Sequence, residues 1–364
     1  MKKFIIQTIL LGLFMVFSQS SAVYAQSCQM PDGTQKEISC NVYLDQLYSA
    51  CAAPDEIADA QSGKCVPIVA FKRPLMGCFE DQCDIATSYP GYSPLALTSD
   101  LASFKLEGYL NAETVVIFLQ GGPDDSVSDD YVQFLEEDAL VAYVLQTNVA
   151  KMGIVKASDM TVEDARLEQQ ENLRLIHTAY TAIRAQFPEK RIVLAGHSMG
   201  AFLTLGYLAE YGNNFDRVVA MAGRVDLPLD FVRRFAIGQN FIFDHVGDVS
   251  RYEETREVRG VHKFSPYLRT AYSPNAESTL LAAVGLPRYS KLLENTDLSN
   301  MLYLYSARDE QVGGLNSQEI GLLEDQGAIV EEAGWHPDIL GHSIMLVDPK
   351  HLQRIREFVL DASK

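Results

Sequence analysis

The ten residues RIVLAGHSMG, from Arg191 to Gly200, decide the fold of this chain. Their first half is a short apolar run, which is typical of a buried strand. The second half fits the pattern G-x-S-x-G with Ser198 at its centre, and a helical pattern follows directly. A serine on so sharp a strand-to-helix turn needs small residues two positions to either side, and Gly196 and Gly200 meet that need. The stretch therefore predicts that Ser198 is held above the edge of a sheet as a nucleophile, with a chance match in a tight turn as the alternative.

Strand and helix patterns alternate on both sides of this turn. Residues 114–119 (TVVIFL) form a continuous apolar run, as expected for a strand that is covered on both faces. A long helical pattern over 162–186 ends before Pro188, and a second one covers 199–211. We also predict strands at 104–110, 151–156, 217–222, 301–306 and 328–332, and helices at 130–146, 315–326 and 350–361. Such alternation predicts an α/β fold with a mostly parallel sheet flanked by helices.

With these flanks, the sequence Gly-His-Ser-Met-Gly resembles the nucleophile elbow of the α/β-hydrolase superfamily, and the resemblance extends over about residues 100–360. In that superfamily the serine is followed along the chain by an acid and then by a histidine. The resemblance implies Asp309 as the acid and His342 as the base of a catalytic triad, and a structural role for His197. Three other residues remain open alternatives: Glu310 and Asp226 for the acid, and His336 for the base.

The turn after the strand at 114–119 reads Gln120-Gly121-Gly122-Pro123. Glycines let a backbone N–H approach a substrate oxygen with no side chain in the way, whereas proline has no N–H to donate. By the same resemblance, the oxyanion hole comprises the N–H of Gly122 or Gly121 together with the N–H of Met199. The superfamily often has histidine at the position of Gln120.

The Gly-Gly-Pro sequence is also similar to the prolyl aminopeptidase branch of the superfamily, whose motif reads His-Gly-Gly-Pro-Gly. Gln120 and Asp124 replace the first and last residues of that motif, so we favour ester over peptide hydrolysis. Two groups of acidic residues are candidates for binding a substrate amine or calcium, and we interpret both as solvated loops: Asp124, Asp125, Asp129 and Asp130, and Glu253, Glu254 and Glu257.

Residues 1–25 have the pattern of a secretory signal peptide. The chain starts with Met-Lys-Lys, an apolar run covers 4–17, and Val-Tyr-Ala at 23–25 places small residues where a signal peptidase reads them. We predict cleavage after Ala25 and a periplasmic or secreted mature protein, with an uncleaved membrane anchor as the alternative. No later segment is long and apolar enough to cross a membrane, so we expect no membrane span after cleavage.

All six cysteines lie between residues 28 and 83. An even number in one stretch of an exported chain is typical of a disulfide framework, and the CxxC pairs that would indicate zinc are missing. Six cysteines allow 15 connectivities, among which the sequence does not choose. Pairing between neighbours, 28–40, 51–65 and 78–83, is our working assignment.

We divide the mature chain into a cysteine-rich N-terminal segment, 26–90, and an α/β-hydrolase domain, 91–364. Residues 226–299 break the alternation of strands and helices, and we interpret them as a cap inserted over the active edge of the sheet.

The formal net charge is −18, and it becomes −20 when Lys2 and Lys3 leave with the signal peptide. Because nucleic acids are bound mainly by Lys and Arg, this charge argues against a nucleic-acid partner. No motif indicates an organic cofactor or a required metal. The sequence therefore predicts a serine hydrolase that cleaves a small-molecule ester through an acyl-enzyme. An aminopeptidase or amidase acting on short peptides and a non-catalytic, hydrolase-like binding protein are the alternatives.

Overall fold

The computed structural model describes residues 50–59, 62–71, 92, 104–123, 126–127, 132–151, 154–157, 159–238, 276–334 and 341–361, with the backbone of a few short strands elsewhere. The predicted signal peptide lies outside these residues. Among the described residues, no helix has both the length and the apolar character that crossing a bilayer requires.

A seven-stranded sheet forms the centre of the molecule. Its strands, labelled β1 to β7 in chain order, are Phe104–Gly108, Thr114–Leu119, Leu140–Val144, Arg191–His197, Arg217–Met221, Met301–Tyr305 and Ile329–Glu332. Their order across the sheet is β7-β6-β5-β4-β2-β3-β1. The edge strand β1 is antiparallel to β3, and every other neighbouring pair is parallel. The predicted mostly parallel sheet is confirmed.

Helices cover both faces of this sheet. The described helices of eight residues or more, labelled α1 to α6, are Val162–Gln186, Met199–Tyr211, Leu229–Ala236, Glu277–Gly285, Ser317–Asp325 and Pro349–Leu360. Shorter helices span Thr147–Ala150, Tyr289–Leu292 and Ile344–Val347, and 3-10 turns span Ile68–Ala70, Gln133–Leu135 and Ile154–Lys156.

Strand β2 shows why the sheet is buried on both sides. All six of its residues are buried, and alternate side chains enter two different apolar clusters. Val115 and Ile117 join the cluster that includes α1 and α2, whereas Val116 and Phe118 join the cluster that includes α6. A strand covered on both faces needs apolar residues at every position, which explains its continuous apolar run.

Two sequence predictions in this region are wrong. The predicted helix at 130–146 is instead a 3-10 turn followed by strand β3, because Leu140–Val144 is apolar throughout and lies between β1 and β2, buried at all five positions. The predicted strand at 151–156 is a 3-10 turn. Ile154 and Val155 are buried against the start of α4 rather than in the sheet, and Val155 accepts a backbone hydrogen bond from Ala276.

The described part of the N-terminal segment packs onto the core around the seven-stranded sheet. Strands Glu56–Ala58 and Cys65–Pro67 pair as a hairpin, and a disulfide joins Cys51 to Cys65, as assigned from the sequence. Ile57, Ile68 and Phe71 are no more than 2% exposed and belong to the same apolar cluster as β2.

Other short strands carry the remaining cysteines that the structure describes. Met76–Phe79 pairs with Gln82–Ile85, which places the backbones of Cys78 and Cys83 opposite each other, and Cys28–Gln29 pairs with Gln35–Lys36. The side chains of these cysteines, and all of Cys40, lie outside the described residues.

The predicted cap at 226–299 is described only at its two ends and in four short strands. Those strands are Ile242–Phe243, Val249–Ser250, Glu257–Val258 and His262–Lys263, paired as two hairpins. The ends, including α3 and α4, contribute buried residues to the main core. Asp226 accepts hydrogen bonds from the hydroxyl and the N–H of Ser290, and Arg288 donates to the carbonyl of Leu227. The position of the cap over the sheet edge stays a prediction.

Candidate active site

The turn between β4 and α2 holds Ser198 in a strained backbone conformation. Ser198 has a φ of 54°, a value that residues with a side chain rarely adopt, and its N–H donates to the carbonyl of Met221. The two glycines are required by close contacts. A Cβ on Gly196 would lie 2.2 Å from the carbonyl oxygen of Gly200, and a Cβ on Gly200 would lie 2.0 Å from that of Leu119. The sequence motif is thus explained by the geometry of the turn.

Three predicted residues meet at the carboxyl ends of the parallel strands. The Oγ of Ser198 lies 2.8 Å from Nε2 of His342, and Nδ1 of His342 lies 2.7 Å from Oδ2 of Asp309. A carboxylate only accepts hydrogen bonds, so Nδ1 carries the proton and Nε2 is left to accept the serine hydroxyl. This is the arrangement in which a histidine can take a proton from a serine.

The acid is fixed by its own loop. Asp309 is 1% exposed, and its Oδ1 accepts the backbone N–H groups of Gln311 and Val312 at 2.8 and 2.9 Å. These two donors leave Oδ2 free to receive His342 and set the orientation of the carboxylate.

The surroundings of His342 raise the pKa of its ring. Burial lowers the pKa of His342, but the charge and hydrogen bond of Asp309, with a further contribution from Glu310, outweigh this effect and raise the pKa above its ordinary value. Burial and the nearby His342 lower the pKa of His197 to about 3, so His197 is neutral. Its Nε2 then donates to the carbonyl of His342 at 3.1 Å.

The predicted oxyanion loop follows β2 and lies against Ser198. A Cβ on Gly121 would lie 3.1 Å from Cβ of Ser198. Gly122 has a φ of 128°, which favours glycine, and precedes a cis bond to Pro123. Met199 is the first residue of α2, where backbone N–H groups have no partner within the helix. Of the three predicted donors, Gly121 therefore lies against Ser198, and Met199 directly follows Ser198 in the chain.

Polar side chains support this loop in a way that the sequence analysis did not find. Gln120, where the superfamily often has histidine, donates its side-chain amide to the carbonyl of Ser126. The buried side chain of Gln146, which follows β3, donates to the carbonyl of Gln120. The sequence analysis did not single out Gln146, because it placed this residue at the end of a predicted helix over 130–146 and not in a loop after a strand.

The alternative residues are placed differently. Asp226, at the start of the predicted insertion, accepts hydrogen bonds from Ser290 near its end. In the described residues, Asp226 makes no hydrogen bond to His342. Glu310 is buried beside the site, but its Oε2 accepts the backbone N–H of His342 rather than the ring, at 3.4 Å. His336 lies outside the described residues.

Metal ligation finds no support in the part of the chain that the structure describes. There, no group of three or more His, Cys, Asp or Glu side chains lies close enough to hold a metal ion. The acidic residues between 124 and 130, and the side chains of those between 253 and 257, lie outside the described residues.

Comparison with known proteins agrees with the fold. The family model described as serine aminopeptidase, S33, matches residues 170–262, which include the elbow but neither Asp309 nor His342. A search of curated proteins finds no match to this chain.

Solved structures of similar fold include several esterases. A lipase-esterase related protein from Clostridium acetobutylicum is 14% identical, with 71% of this chain and 100% of that chain covered and a TM-score of 0.47. A highly thermostable carboxyl esterase from Bacillus coagulans is 13% identical, with 73% and 96% covered and a TM-score of 0.48. Est1E from Butyrivibrio proteoclasticus, solved with ferulic acid bound, is 15% identical, with 72% and 96% covered and a TM-score of 0.42. Similarity at this distance carries no substrate over to this chain.

Proposed function

We propose that this chain, which belongs to the α/β-hydrolase superfamily, is a serine hydrolase that cleaves carboxylic esters of small molecules. The observation that supports it most strongly is the continuous hydrogen-bonded path from Ser198 through His342 to Asp309, with separations of 2.8 and 2.7 Å.

The mechanism proceeds in two halves. Ser198 attacks the ester carbonyl while Nε2 of His342 takes the hydroxyl proton, and the resulting oxyanion is bound by N–H groups of Gly122 or Gly121 and Met199. The tetrahedral intermediate expels the alcohol, to which His342 returns the proton, and leaves an acyl-enzyme. Water then attacks the acyl group, His342 again moves the proton, and the carboxylic acid leaves with Ser198 restored.

Asp309 acts through the histidine. Its carboxylate holds the tautomer that presents Nε2 to Ser198 and stabilises the imidazolium that forms after proton transfer. The two backbone donors on its other oxygen keep it in this orientation.

A serine aminopeptidase or amidase is the second candidate. The match to the serine aminopeptidase family over residues 170–262 favours it. The departures at Gln120 and Asp124 from the prolyl aminopeptidase motif favour an ester.

We also propose export to the periplasm or out of the cell. The predicted signal peptide supports it, and so does the Cys51–Cys65 disulfide, because such bonds persist in oxidising compartments.

Turnover by the Ser198→Ala variant tests the proposal. The wild type is assayed on a panel of p-nitrophenyl esters and aminoacyl anilides. We expect ester hydrolysis, and we expect the variant to lose it while keeping the wild-type circular dichroism spectrum. Hydrolysis of anilides alone would favour the aminopeptidase, and unchanged turnover by the folded variant would exclude Ser198 as the nucleophile.

A further inference from the structure

A second carboxyl group lies buried beside His342 and has no part in the mechanism above. Glu310 directly follows Asp309 in the loop after β6 and is 2% exposed. Its Oε2 makes the long hydrogen bond to the backbone N–H of His342, and its Oε1 is buried with no hydrogen-bond partner among the described residues. An unpartnered buried carboxylate oxygen is costly, so a fold that keeps one at this place calls for a reason.

We propose that Glu310 is a positioning residue for the reaction, which holds the main chain of His342 and, through its charge, sets the pH range in which His342 acts as a base. This inference rests on the proposed function.

Contacts around His342 support the positioning role. Its ring is held by Asp309, its backbone N–H by Glu310, and its carbonyl by Nε2 of His197 at 3.1 Å. These three contacts come from two separate parts of the chain, the β6 loop and the elbow. His342 lies between β7 and α6 and belongs to neither, so it depends on these three contacts for its position. We infer that they set the distance from its Nε2 to Ser198.

The electrostatic role follows from two acids that share one histidine. Burial, and after it the charge of Asp309, raise the pKa of Glu310 to about 7, against the opposing effect of His342. Glu310 in turn adds to the raised pKa of His342, after the larger effect of Asp309. Among the described residues, His197 also lies against His342, with the two ring centroids 5.1 Å apart, and His197 is neutral.

Glu310 and His342 therefore titrate together. A proton taken up by Glu310 removes a charge that favours the imidazolium, so it weakens the binding of a proton to His342. The wild-type acid limb of the kcat/KM profile should then be broader than the limb of a single ionisation. Replacing Glu310 with an uncharged side chain should leave a single-proton limb and move it to lower pH by about 1 unit.

The Glu310→Gln variant of the intact chain tests this inference, because it removes the charge but keeps an oxygen that can accept the His342 N–H. Glu324→Gln, on the exposed surface of α5, makes the same change in net charge and is the control. Two quantities are measured against pH: the NMR titration of the His342 ring, and kcat/KM for a p-nitrophenyl ester. We expect both to move to lower pH in Glu310→Gln and neither to move in Glu324→Gln.

A folded Glu310→Gln protein with the wild-type His342 titration and pH profile would overturn the inference. The wild type also tests it alone, since a His342 titration that fits one isolated proton contradicts the coupling. If the His342 titration shifts but the protein turns over neither ester nor anilide, the coupling is supported and it is the proposed function that fails.

Discussion

At the residue scale, the path from Ser198 through His342 to Asp309 is hydrogen-bonded at both steps and largely shielded from water. Asp309 and His342 are 1% and 8% exposed, and hydrogen bonds in such a setting are stronger than in water. The serine hydroxyl lies at the outer end of this path, and the charge needed to stabilise an imidazolium lies at its buried end. In the proposed mechanism, a carboxylate that acts through His342 thus supports the chemistry at Ser198.

Replacing Asp309 tests this arrangement against the alternative acid. We expect Asp309→Asn to lower kcat by roughly 10³ to 10⁴, because the amide favours the wrong tautomer of His342. Asp226→Asn is the matched control and should keep kcat within a few-fold of the wild type, since Asp226 binds Ser290. Steady-state kinetics on one ester suffice, and a larger loss in the control would make Asp226 the acid.

The pH dependence follows from the direction of the His342 pKa shift. The base must be neutral to accept the serine proton, so kcat/KM should fall as the pH falls through the pKa of His342. Because that pKa is raised, the fall should begin above pH 6.5, the ordinary histidine value. A kcat/KM profile that stays flat from pH 8 to pH 5 would contradict the role of His342.

At the element scale, the sequence predicted those segments whose pattern had one interpretation. The continuous apolar run of β2 and the long amphipathic pattern of α1 match the observed bounds, Thr114–Leu119 and Val162–Gln186. Leu140–Val144 was mistaken for part of a helix because a short apolar run alone does not distinguish a buried strand from a buried helix. Only its position between β1 and β2, a tertiary property, makes it a strand.

The elbow packs so closely against strand β2 that a side chain at Gly200 should destabilise the protein. In Gly200→Ala the new methyl group would meet the backbone of Leu119 on β2, which cannot move without disturbing the sheet. We expect a loss of unfolding free energy of about 1–3 kcal/mol and a marked loss of turnover.

Gly321→Ala is the control for this substitution. Gly321 also lies in a helix, α5, but a Cβ there meets nothing within 4 Å, so we expect stability to be unchanged or raised by up to about 1 kcal/mol. Urea unfolding of both variants gives the comparison. If Gly200→Ala and Gly321→Ala have equal free energies of unfolding, the β4–α2 turn accepts a methyl group at Gly200, contrary to the close contact with Leu119.

At the scale of the whole molecule, the sequence predicted the residues of the candidate site but not the contacts that hold the surrounding loops in place. The resemblance of the elbow to the α/β-hydrolase superfamily, with the chain order that it implies, sufficed to name Ser198, Asp309 and His342, and the structure places His342 within hydrogen-bonding distance of the other two. The contacts of Gln146, His197 and Glu310 could not be predicted, because each joins loops that are distant in sequence. The packing of the cysteine-rich segment into the hydrolase core likewise has no sequence signal.

That packing predicts that the N-terminal segment and the hydrolase domain unfold as one unit. Phe71 is 1% exposed within the main apolar cluster, so Phe71→Ala should lower the free energy of unfolding of the whole protein by about 3–5 kcal/mol. Val69→Ala, at a position 37% exposed in the same turn, should change it by less than about 0.5 kcal/mol. Loss of ester turnover and of circular dichroism should coincide in urea. If Phe71→Ala leaves the urea midpoint for loss of ester turnover unchanged, the N-terminal segment and the hydrolase domain unfold independently.

The most direct test of the central claim is the intact mass of the protein after reaction with a fluorophosphonate, which labels activated serines. We predict one adduct on the wild type, mapped by peptide analysis to Ser198, and none on Ser198→Ala. Absence of an adduct on the folded wild type, or an adduct on another serine, would contradict the assignment of Ser198 as the nucleophile and would favour a hydrolase-like fold used for binding.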